Sequence, residues 1–256
     1  KMDAEEKVVS ALGITNFNED RYITIFTKNG MIKRTLISDF KVSRYSKPMV
    51  AFKLKDGDLV VSVIDNNGDE IFISTHNGMG LRYLTNEVAL TGCKSSGVKG
   101  ISLKDDYVVS SNVFTHDEFV CVVTEKSTGK RVRISEFERT SRGRKGIQIV
   151  RDVKTNPYRI LNTFVCDKCD LTIKIGNDYD NIKSTTLPIM DRYSTGSSIC
   201  KGNINSAFIT VNLVDSDNCI KNDVNIEDEV ETLDIKLDEI DEQILTIDDF
   251  LDDFDV

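Results

Sequence analysis

Tryptophan is absent from this 256-residue chain, and proline, histidine and cysteine are scarce, with three, two and six residues. The longest hydrophobic runs last only a few residues, far short of the ~20 that a membrane-spanning helix needs. The N-terminus has no apolar segment of the kind found in secretory signals. We therefore expect a cytoplasmic protein with no membrane partner. Because the chain starts on Lys1 ahead of a strand-like run, we also expect a fragment of a longer polypeptide.

The six cysteines are too sparse for a disulfide scaffold, so the sequence predicts free thiols in a reducing compartment. Cys166 and Cys169 have the spacing of half a structural zinc site. Such a site needs two further Cys or His ligands at similar spacing, and neither histidine belongs to a second pair. We therefore expect two thiols at a strand-turn-strand corner.

Charge is distributed unevenly along the chain. Residues 215–256 hold 17 acidic residues and two lysines, a formal charge of −15, whereas 1–214 hold 31 basic and 25 acidic residues, a formal charge of +6. A basic body with an acidic tail is common in proteins that bind a polyanion. A solubilising tail on a mildly basic domain is the alternative.

The acidic tail also contains a regular apolar stripe. Apolar residues recur at intervals of three and four between 237 and 254, which is the periodicity of one helix face. The other faces are almost all acidic, so such a helix would be marginal in water without a docking surface. A helix at 237–254 is therefore a possibility within the 215–256 tail.

Three stretches of the body align with one another. They begin at Thr27, Thr75 and Thr124, which are 48 and 49 residues apart. A weaker fourth copy spans about 169–214. Self-similarity at a fixed period indicates a repeat architecture.

Each repeat is expected to form four short strands, because β-branched residues alternate there and Gly or Asn-Gly turns separate the runs. In the first repeat the predicted strands are about 22–27, 31–37, 49–54 and 59–65. A four-stranded unit of about 50 residues in series is typical of propeller blades. The predicted units are about 15–65, 66–114, 115–165 and 166–214, and 7–14 is expected to be a strand that closes a preceding blade.

Basic residues recur at the hairpin turn and in the linker after the second strand of each unit. Equivalent positions lie at equivalent radius in a disc of blades, so the repeat predicts cations along one edge. Such an edge can follow the phosphates of a duplex without reading its bases. Alternatively, these cations only prevent edge-to-edge strand pairing. The candidate DNA-binding residues are Lys33, Arg34, Arg44, Lys47, Arg82, Lys94, Lys99, Lys130, Arg131, Arg133, Arg142, Arg144 and Lys145.

The same segments carry a family resemblance. Ile32-Lys33-Arg34, Arg44-Tyr45-Ser46-Lys47-Pro48 and the run from Gly97 to Val109 resemble the C-terminal domain of type IIA topoisomerase A subunits. They are more similar to topoisomerase IV of Gram-positive bacteria than to gyrase. The Gln-Arg-Arg-Gly-Gly-Lys-Gly box of gyrase is nowhere intact, and residues 141–146 are only a degenerate form of it. The resemblance is strong over about 1–165, weaker over 166–214 and absent from the tail.

The resemblance implies an all-β fold of the β-pinwheel type, a disc of propeller-like blades that exchange strands and bind duplex DNA on a basic perimeter. Comparison with the family suggests that the first blade precedes this chain, so we expect about four blades in an arc or incomplete disc. The implied partners are duplex DNA, the ATPase B subunit of the enzyme and the remainder of its A subunit, close to the bacterial nucleoid. The parent enzyme would use ATP and Mg²⁺ elsewhere, and we expect no cofactor and no small-molecule substrate for this chain.

No catalytic site is expected. The sequence contains neither a nucleotide-binding Gly-rich loop with Lys nor a His-Glu-x-x-His zinc motif. The pairs Asp56/Asp58 and Asp105/Asp106 occupy the turn before the last strand of their units, so we interpret them as turn residues. None of the tyrosines matches the DNA-cleaving motif of the family.

The sequence thus predicts a non-catalytic module that binds or bends duplex DNA for topoisomerase IV, with a tail that competes for the basic edge. A gyrase-type domain that wraps DNA is one alternative. A propeller that binds protein partners is another, although the chain has few aromatic residues for such a surface.

Overall fold

The computed structural model describes residues 6–18, 20–42, 48–65 and 67–210. These residues form short strands joined by turns and single 3-10 turns, with no α-helix among them. The strands are β1 (Tyr22–Thr27), β2 (Met31–Leu36), β3 (Val60–Asp65), β4 (Glu70–Thr75), β5 (Met79–Leu84), β6 (Val98–Lys99), β7 (Val108–Phe114), β8 (Phe119–Thr124), β9 (Thr128–Arg133), β10 (Ile147–Gln148), β11 (Ile160–Val165), β12 (Asp170–Ile175), β13 (Asp178–Lys183), β14 (Ser197–Ser198) and β15 (Ile204–Ile209).

The strands make four antiparallel sheets, which we number as blades 1 to 4. Each blade pairs a hairpin with a third strand that lies beside the first strand of the hairpin. In blades 1 to 3 a two-residue strand from the following unit then pairs with the outer side of the hairpin. The orders are β3-β1-β2-β6, β7-β4-β5-β10, β11-β8-β9-β14 and β13-β12-β15. The predicted all-β fold of four propeller-like blades with exchanged strands is confirmed.

One predicted strand of blade 1 is wrong. Residues 49–54 form no strand, because the fourth strand of blade 1 is β6, which comes from the next unit. Residues 7–14 form no strand in this structure. A strand needs a partner for its backbone N–H and C=O groups, and the predicted partners of 7–14 belong to a preceding blade, so its role in closing such a blade stays a prediction.

All four hairpin turns lie at the same end of the blades. Val108 N donates to Lys28 O at 2.9 Å, and Ile160 N donates to His76 O at 3.0 Å. The hairpin turns of blades 1 and 2 therefore each contact the first residue of the third strand in the following blade. We call this the hairpin end, made up of residues 28–30, 52–59, 76–78, 99–107, 125–127, 148–159, 176–177 and 198–203. The opposite end is made up of residues 20–21, 37–42, 67–69, 85–89, 115–118, 134–138, 166–169 and 184–188.

Apolar side chains are buried between successive blades rather than in one central core. Phe26 and Ile32 of blade 1 pack with Ile71 and Tyr83 of blade 2 in one cluster. A second cluster joins blades 2 and 3 and a third joins blades 3 and 4. Each blade therefore depends on its neighbour for burial, as expected for a repeat protein.

The third strands β3, β7 and β11 lie side by side with β15 around a cavity of about 410 Å³. Its walls include hydroxyl and amide groups that bond across blades, for example Ser110 Oγ to Thr163 O at 2.7 Å and Asn162 Nδ2 to Ala207 O at 2.8 Å. Polar bonds thus complement apolar packing where the blades meet.

Two lysines from the predicted DNA-binding set are buried, each about 1% exposed. Lys130 Nζ donates to Ile149 O at 2.7 Å, to Arg192 O at 2.8 Å and to two further backbone carbonyls of the blade 4 linker. Lys33 Nζ donates to Cys93 O at 2.7 Å, and also to the carbonyls of Ala51 and Gly92. Their assignment to the DNA-binding edge is wrong, because these ammonium groups are enclosed by carbonyl oxygens and are not accessible to a phosphate.

Cys166 and Cys169 are joined in a disulfide, where the sequence predicts free thiols. They lie at the end of β11 and the start of β12, with their Cα atoms 6.2 Å apart, a separation within the range that disulfides span. The thiols of Cys93 and Cys121 are free and buried, and burial raises the pKa of Cys121 to about 12.

No helix in the described residues is long and apolar enough to cross a membrane. The predicted tail at 215–256, with its possible helix at 237–254, lies outside the described residues.

Gly146 provides a test of strand exchange, because it precedes the exchanged strand β10. It has a φ of +79°, and a Cβ there would overlap the carbonyl oxygen of Gly80. We expect Gly146→Ala to lower the free energy of unfolding by more than about 2 kcal/mol, through strain and overlap together. Gly57→Ala is the control, since Gly57 has a φ of +74° but no atom within 4 Å of a Cβ, so only strain of about 1 kcal/mol remains. Urea denaturation measures both free energies of unfolding. Equal losses in the two variants would contradict the close contact between Gly146 and the backbone of β5.

Lys130 provides a pH test. Burial lowers the pKa of Lys130 to about 8, whereas a lysine in the unfolded chain has a pKa of about 10.4. Between these values the unfolded chain binds more protons, so the contribution of this group to stability rises with pH. From about pH 7 to about pH 10 the wild-type chain should gain on the order of 2 kcal/mol relative to Lys130→Met. Exposed Lys168→Met is the control and should follow the wild type, while parallel curves for wild type and Lys130→Met would disprove the assignment.

Candidate nucleic-acid interface

An arginine occupies the same position in the second strand of blades 1, 2 and 3. Arg34, Arg82 and Arg131 lie opposite Thr24, Phe72 and Cys121 in their hairpins. Hairpin register makes these three arginines equivalent, and Asn181 of blade 4 takes the same place opposite Thr172.

Each of these arginines bonds the 3-10 turn of the next blade. Arg34 Nη1 donates to Thr85 O at 2.8 Å. Arg82 Nη1 donates to Ile134 O at 3.1 Å. Arg131 Nε donates to Leu187 O at 3.0 Å. The three side chains are therefore clamps between blades. Burial lowers the pKa of the Arg34 guanidinium.

The backbones of the clamp arginines are engaged as well. Their carbonyl oxygens each accept an N–H of the following linker at 2.9 Å, from Thr91, Thr140 and Met190. Arg82 also forms an ion pair with Glu70 on the neighbouring strand. The guanidinium groups thus have little capacity left for a phosphate.

Arg142 makes a different contact between blades. Its backbone N–H donates to Glu87 Oε2 at 2.7 Å, and its side chain donates to the carbonyl oxygens of Glu87 and Lys99. Arg192 repeats this arrangement one blade later, with its N–H on Glu136 Oε2 at 2.8 Å and Nη1 on Gln148 O at 2.8 Å. Arg142 therefore positions the linker loop of blade 3.

The remaining predicted residues fall into three groups. Arg44 and Lys47 lie outside the described residues. Arg133 is exposed near the opposite end, with its guanidinium 5.4 Å from the Phe119 ring centroid. The last group consists of four exposed cations whose side chains make no hydrogen bond or ion pair to any described residue: Lys94, Lys99, Arg144 and Lys145.

The two ends of the described body carry opposite charge. The hairpin end has ten Lys and Arg against six Asp and Glu, a formal charge of +4. The opposite end has three Lys and Arg against nine Asp and Glu, a formal charge of −6. A polyanion is thus attracted to the hairpin end and repelled from the other.

The outer edge extends the positive charge of the hairpin end. Its linker loops at 90–98, 139–147 and 189–197 contain six Lys and Arg and one Asp. We define the basic surface as the cations of the hairpin end and outer edge whose side chains bond no described residue. They are Lys53, Lys55, Lys94, Lys99, Lys104, Arg144, Lys145, Arg151, Lys154, Arg159 and Lys201.

Seven residues of the basic surface are absent from the candidates that the sequence predicts. All seven, including Lys104 and Arg159, lie in the segments that cross the hairpin end before each third strand. The predicted candidates come from the hairpin turn and the linker after the second strand, whereas the crossing segments precede the third strand. Lys55, Lys104 and Lys154 recur there at intervals of 49 and 50 residues. A count of Lys and Arg in every inter-strand segment would have identified them.

One aspartate of each pair, Asp58 and Asp106, has the predicted turn role. Asp58 Oδ1 accepts the N–H of Asn29 at 2.9 Å and of Leu59 at 2.8 Å. Asp106 Oδ1 accepts the N–H groups of Asn77 and Tyr107 in the same way. In the described residues no group of three or more His, Cys, Asp or Glu is arranged to hold a metal ion.

Comparison with known proteins agrees with this architecture. The family model of the DNA gyrase C-terminal domain, a beta-propeller, matches residues 21–67, 69–113 and 118–167. The chain is similar to the crystal structure of a C-terminal domain of DNA topoisomerase IV, with a TM-score of 0.77 and 33% identity, over 82% of this chain and 68% of the other. It also shares its fold with a DNA gyrase A C-terminal domain, with a TM-score of 0.71 and 17% identity, over 82% and 72% of the two chains.

Curated relatives give the same answer from sequence. The DNA topoisomerase 4 A subunit of Bacillus subtilis is 38% identical over 200 residues, which is 77% of this chain and 25% of the relative. The Staphylococcus epidermidis protein of the same name is 33% identical over 204 residues, again 77% and 25%. This chain thus spans about a quarter of the length of these relatives. With this coverage and identity, the chain belongs to the family of C-terminal domains of gyrase and topoisomerase IV A subunits.

Proposed function

We propose that this chain is a non-catalytic module that binds duplex DNA for a type II topoisomerase of the topoisomerase IV kind. The observation that carries the proposal is the separation of charge, with free cations gathered on the hairpin end and outer edge and carboxylates on the opposite end. A duplex presents about one negative charge per 1.7 Å of axis, and a continuous cationic surface is complementary to it.

Binding on this surface is directed to phosphates. Eight of its eleven cations are lysines, all of them exposed, and seven of these lie on turns and linkers while Lys99 ends β6. A lysine ammonium acts as a point charge without the planar fork that reads guanine. Contacts of this kind set the position of DNA but carry little sequence information. The module would then bend one duplex or guide a second one, whatever its sequence.

The rest of the enzyme supplies the chemistry in this proposal. DNA cleavage, ATP and Mg²⁺ belong to the ATPase B subunit of the enzyme and to the other part of its A subunit, which would be the partners of this module beside the nucleoid in the cytoplasm. The identity of 33% with a topoisomerase IV domain, against 17% with a gyrase domain, favours topoisomerase IV over gyrase.

A protein-binding role has one observation in its favour. Tyr179 and Phe208 are exposed on blade 4, with ring centroids 6.5 Å apart. Aromatic side chains are enriched in protein interfaces, so this face is the place to look if DNA binding fails.

Salt dependence tests the DNA proposal. If about half of the basic-surface cations each neutralise one phosphate, the logarithm of the association constant should fall with the logarithm of salt concentration with a slope of about −5. Fluorescence anisotropy with a labelled duplex of about 40 base pairs and two unrelated sequences measures this slope. Binding that is absent at low salt, or that depends strongly on sequence, would contradict the proposal.

The acidic tail gives a second test. With −15 against the +6 of residues 1–214, and at the high effective concentration that tethering provides, the tail should compete with DNA for the basic surface. Deleting 215–256 should tighten duplex binding several-fold at low salt. A matched variant keeps the tail length but replaces its Asp and Glu with Asn and Gln, and it should bind as tightly as the deletion. Unchanged affinity in both variants would rule out competition.

A further inference from the structure

A cavity of about 290 Å³ opens at the hairpin end where blades 2 and 3 meet. It lies beside the β4–β5 turn and is lined by Lys104, Lys145 and Arg159. These three cations come from the segment before β7, the linker loop before β10 and the residue before β11. Three separate parts of the chain therefore place positive charge around one cavity.

These cations differ from the clamp residues in what they contact. The ammonium and guanidinium groups of Lys130, Arg82 and Arg131 are already bonded to backbone carbonyls. In contrast, the side chains of the three cavity cations make no hydrogen bond or ion pair with any described residue. Their donors are available to a ligand, and no role in holding the blades together explains their position.

Two carboxylates also line the cavity, Asp106 and Asp152. Asp106 is committed to the turn, because its Oδ1 accepts the N–H of Asn77 at 3.0 Å and of Tyr107 at 2.8 Å. Asp152 makes no such bond to a described residue. The lining has a formal charge of +1 and therefore attracts an anion. The free carboxylate of Asp152 weakens this attraction.

We propose that this cavity holds one backbone phosphate of the bound duplex. A phosphodiester presents a full negative charge and oxygen acceptors in several directions, which suits cations that converge from three segments. The cavity has room for the phosphate together with part of the adjoining sugar. The inference rests on the proposed function and makes it more specific, because the cavity would fix the path of DNA across blades 2 and 3.

The triple variant Lys104→Gln/Lys145→Gln/Arg159→Gln tests this inference in the full chain. Because the three cations share one phosphate, losing them should reduce the magnitude of the salt slope by about 0.9, the value for a single phosphate. Affinity for the duplex at about 0.1 M salt should nevertheless fall at least about tenfold, as expected for the loss of charge-assisted hydrogen bonds. Anisotropy titrations at several salt concentrations give both quantities.

The matched control removes three separate cations of the basic surface, Lys53→Gln/Lys55→Gln/Lys201→Gln. These act on separate phosphates, so the slope should change by up to about 2.7 with a smaller loss of affinity. A slope change of about 2.7 in the cavity variant, or an affinity equal to that of the control variant, would overturn the shared-phosphate site.

A variant that should bind more tightly guards against misfolding as the explanation. Asp152→Asn removes the free carboxylate and should raise duplex affinity several-fold, whereas Asp56→Asn, elsewhere on the hairpin end, should have a smaller effect. Equal effects of the two substitutions would show that DNA responds to the overall electrostatic field of the hairpin end rather than to a specific site.

Inorganic phosphate separates failure of this inference from failure of the DNA proposal. In NMR titrations with phosphate, the amide signals of Asn77, Lys104 and Gln148 should shift in the wild type and not in the triple cavity variant. Shifts without any duplex binding would contradict the DNA proposal but support the anion site. Duplex binding without these shifts would support the DNA proposal and contradict the anion site.

Discussion

The contact on which the other features depend is the one between a guanidinium group and the turn of the next blade. A blade of three strands leaves the outer side of its hairpin unpaired, and the 3-10 turn of the next unit leaves carbonyl oxygens without partners. Arg34, Arg82 and Arg131 satisfy those carbonyls and hold the linker at the unpaired edge. The exchanged strand can then complete the sheet, and the apolar cluster between two blades is enclosed. Blade 4, with Asn181 at that position, lacks this clamp.

The fold could be predicted from sequence where the signal is local. The hairpins of blades 1 to 3 have alternating apolar residues and a turn residue at a fixed interval, and their period of 48 and 49 residues indicates serial blades. The exchanged strands could not be predicted in the same way. A strand of two residues such as Val98–Lys99 has no period, and its pairing depends on a partner in another repeat. The incorrect strand at 49–54 has the same origin, since β-propensity alone does not show which edge is available.

Recurrence of a cation along the sequence does not show what that cation contacts. Lys33, Lys130 and the clamp arginines belong to the repeated pattern and are engaged inside the protein. Free cations recur as well, since Lys55, Lys104 and Lys154 lie 49 and 50 residues apart. Their grouping at the hairpin end becomes visible only when the chain topology brings the crossing segments together.

Opposite charge at the two ends has a consequence for how DNA can approach. A duplex that followed the outer edge alone would pass near the carboxylates of Glu87, Glu136 and Glu138 as well as the linker cations. A duplex displaced toward the hairpin end avoids them and gains the crossing segments. At physiological salt the screening length is about 8 Å, so the two ends act nearly independently. If the proposed DNA binding holds, the path of lowest energy would therefore run over the rim where the outer edge meets the hairpin end. The segment from β9 to β11, which holds five of the eleven free cations, would anchor it.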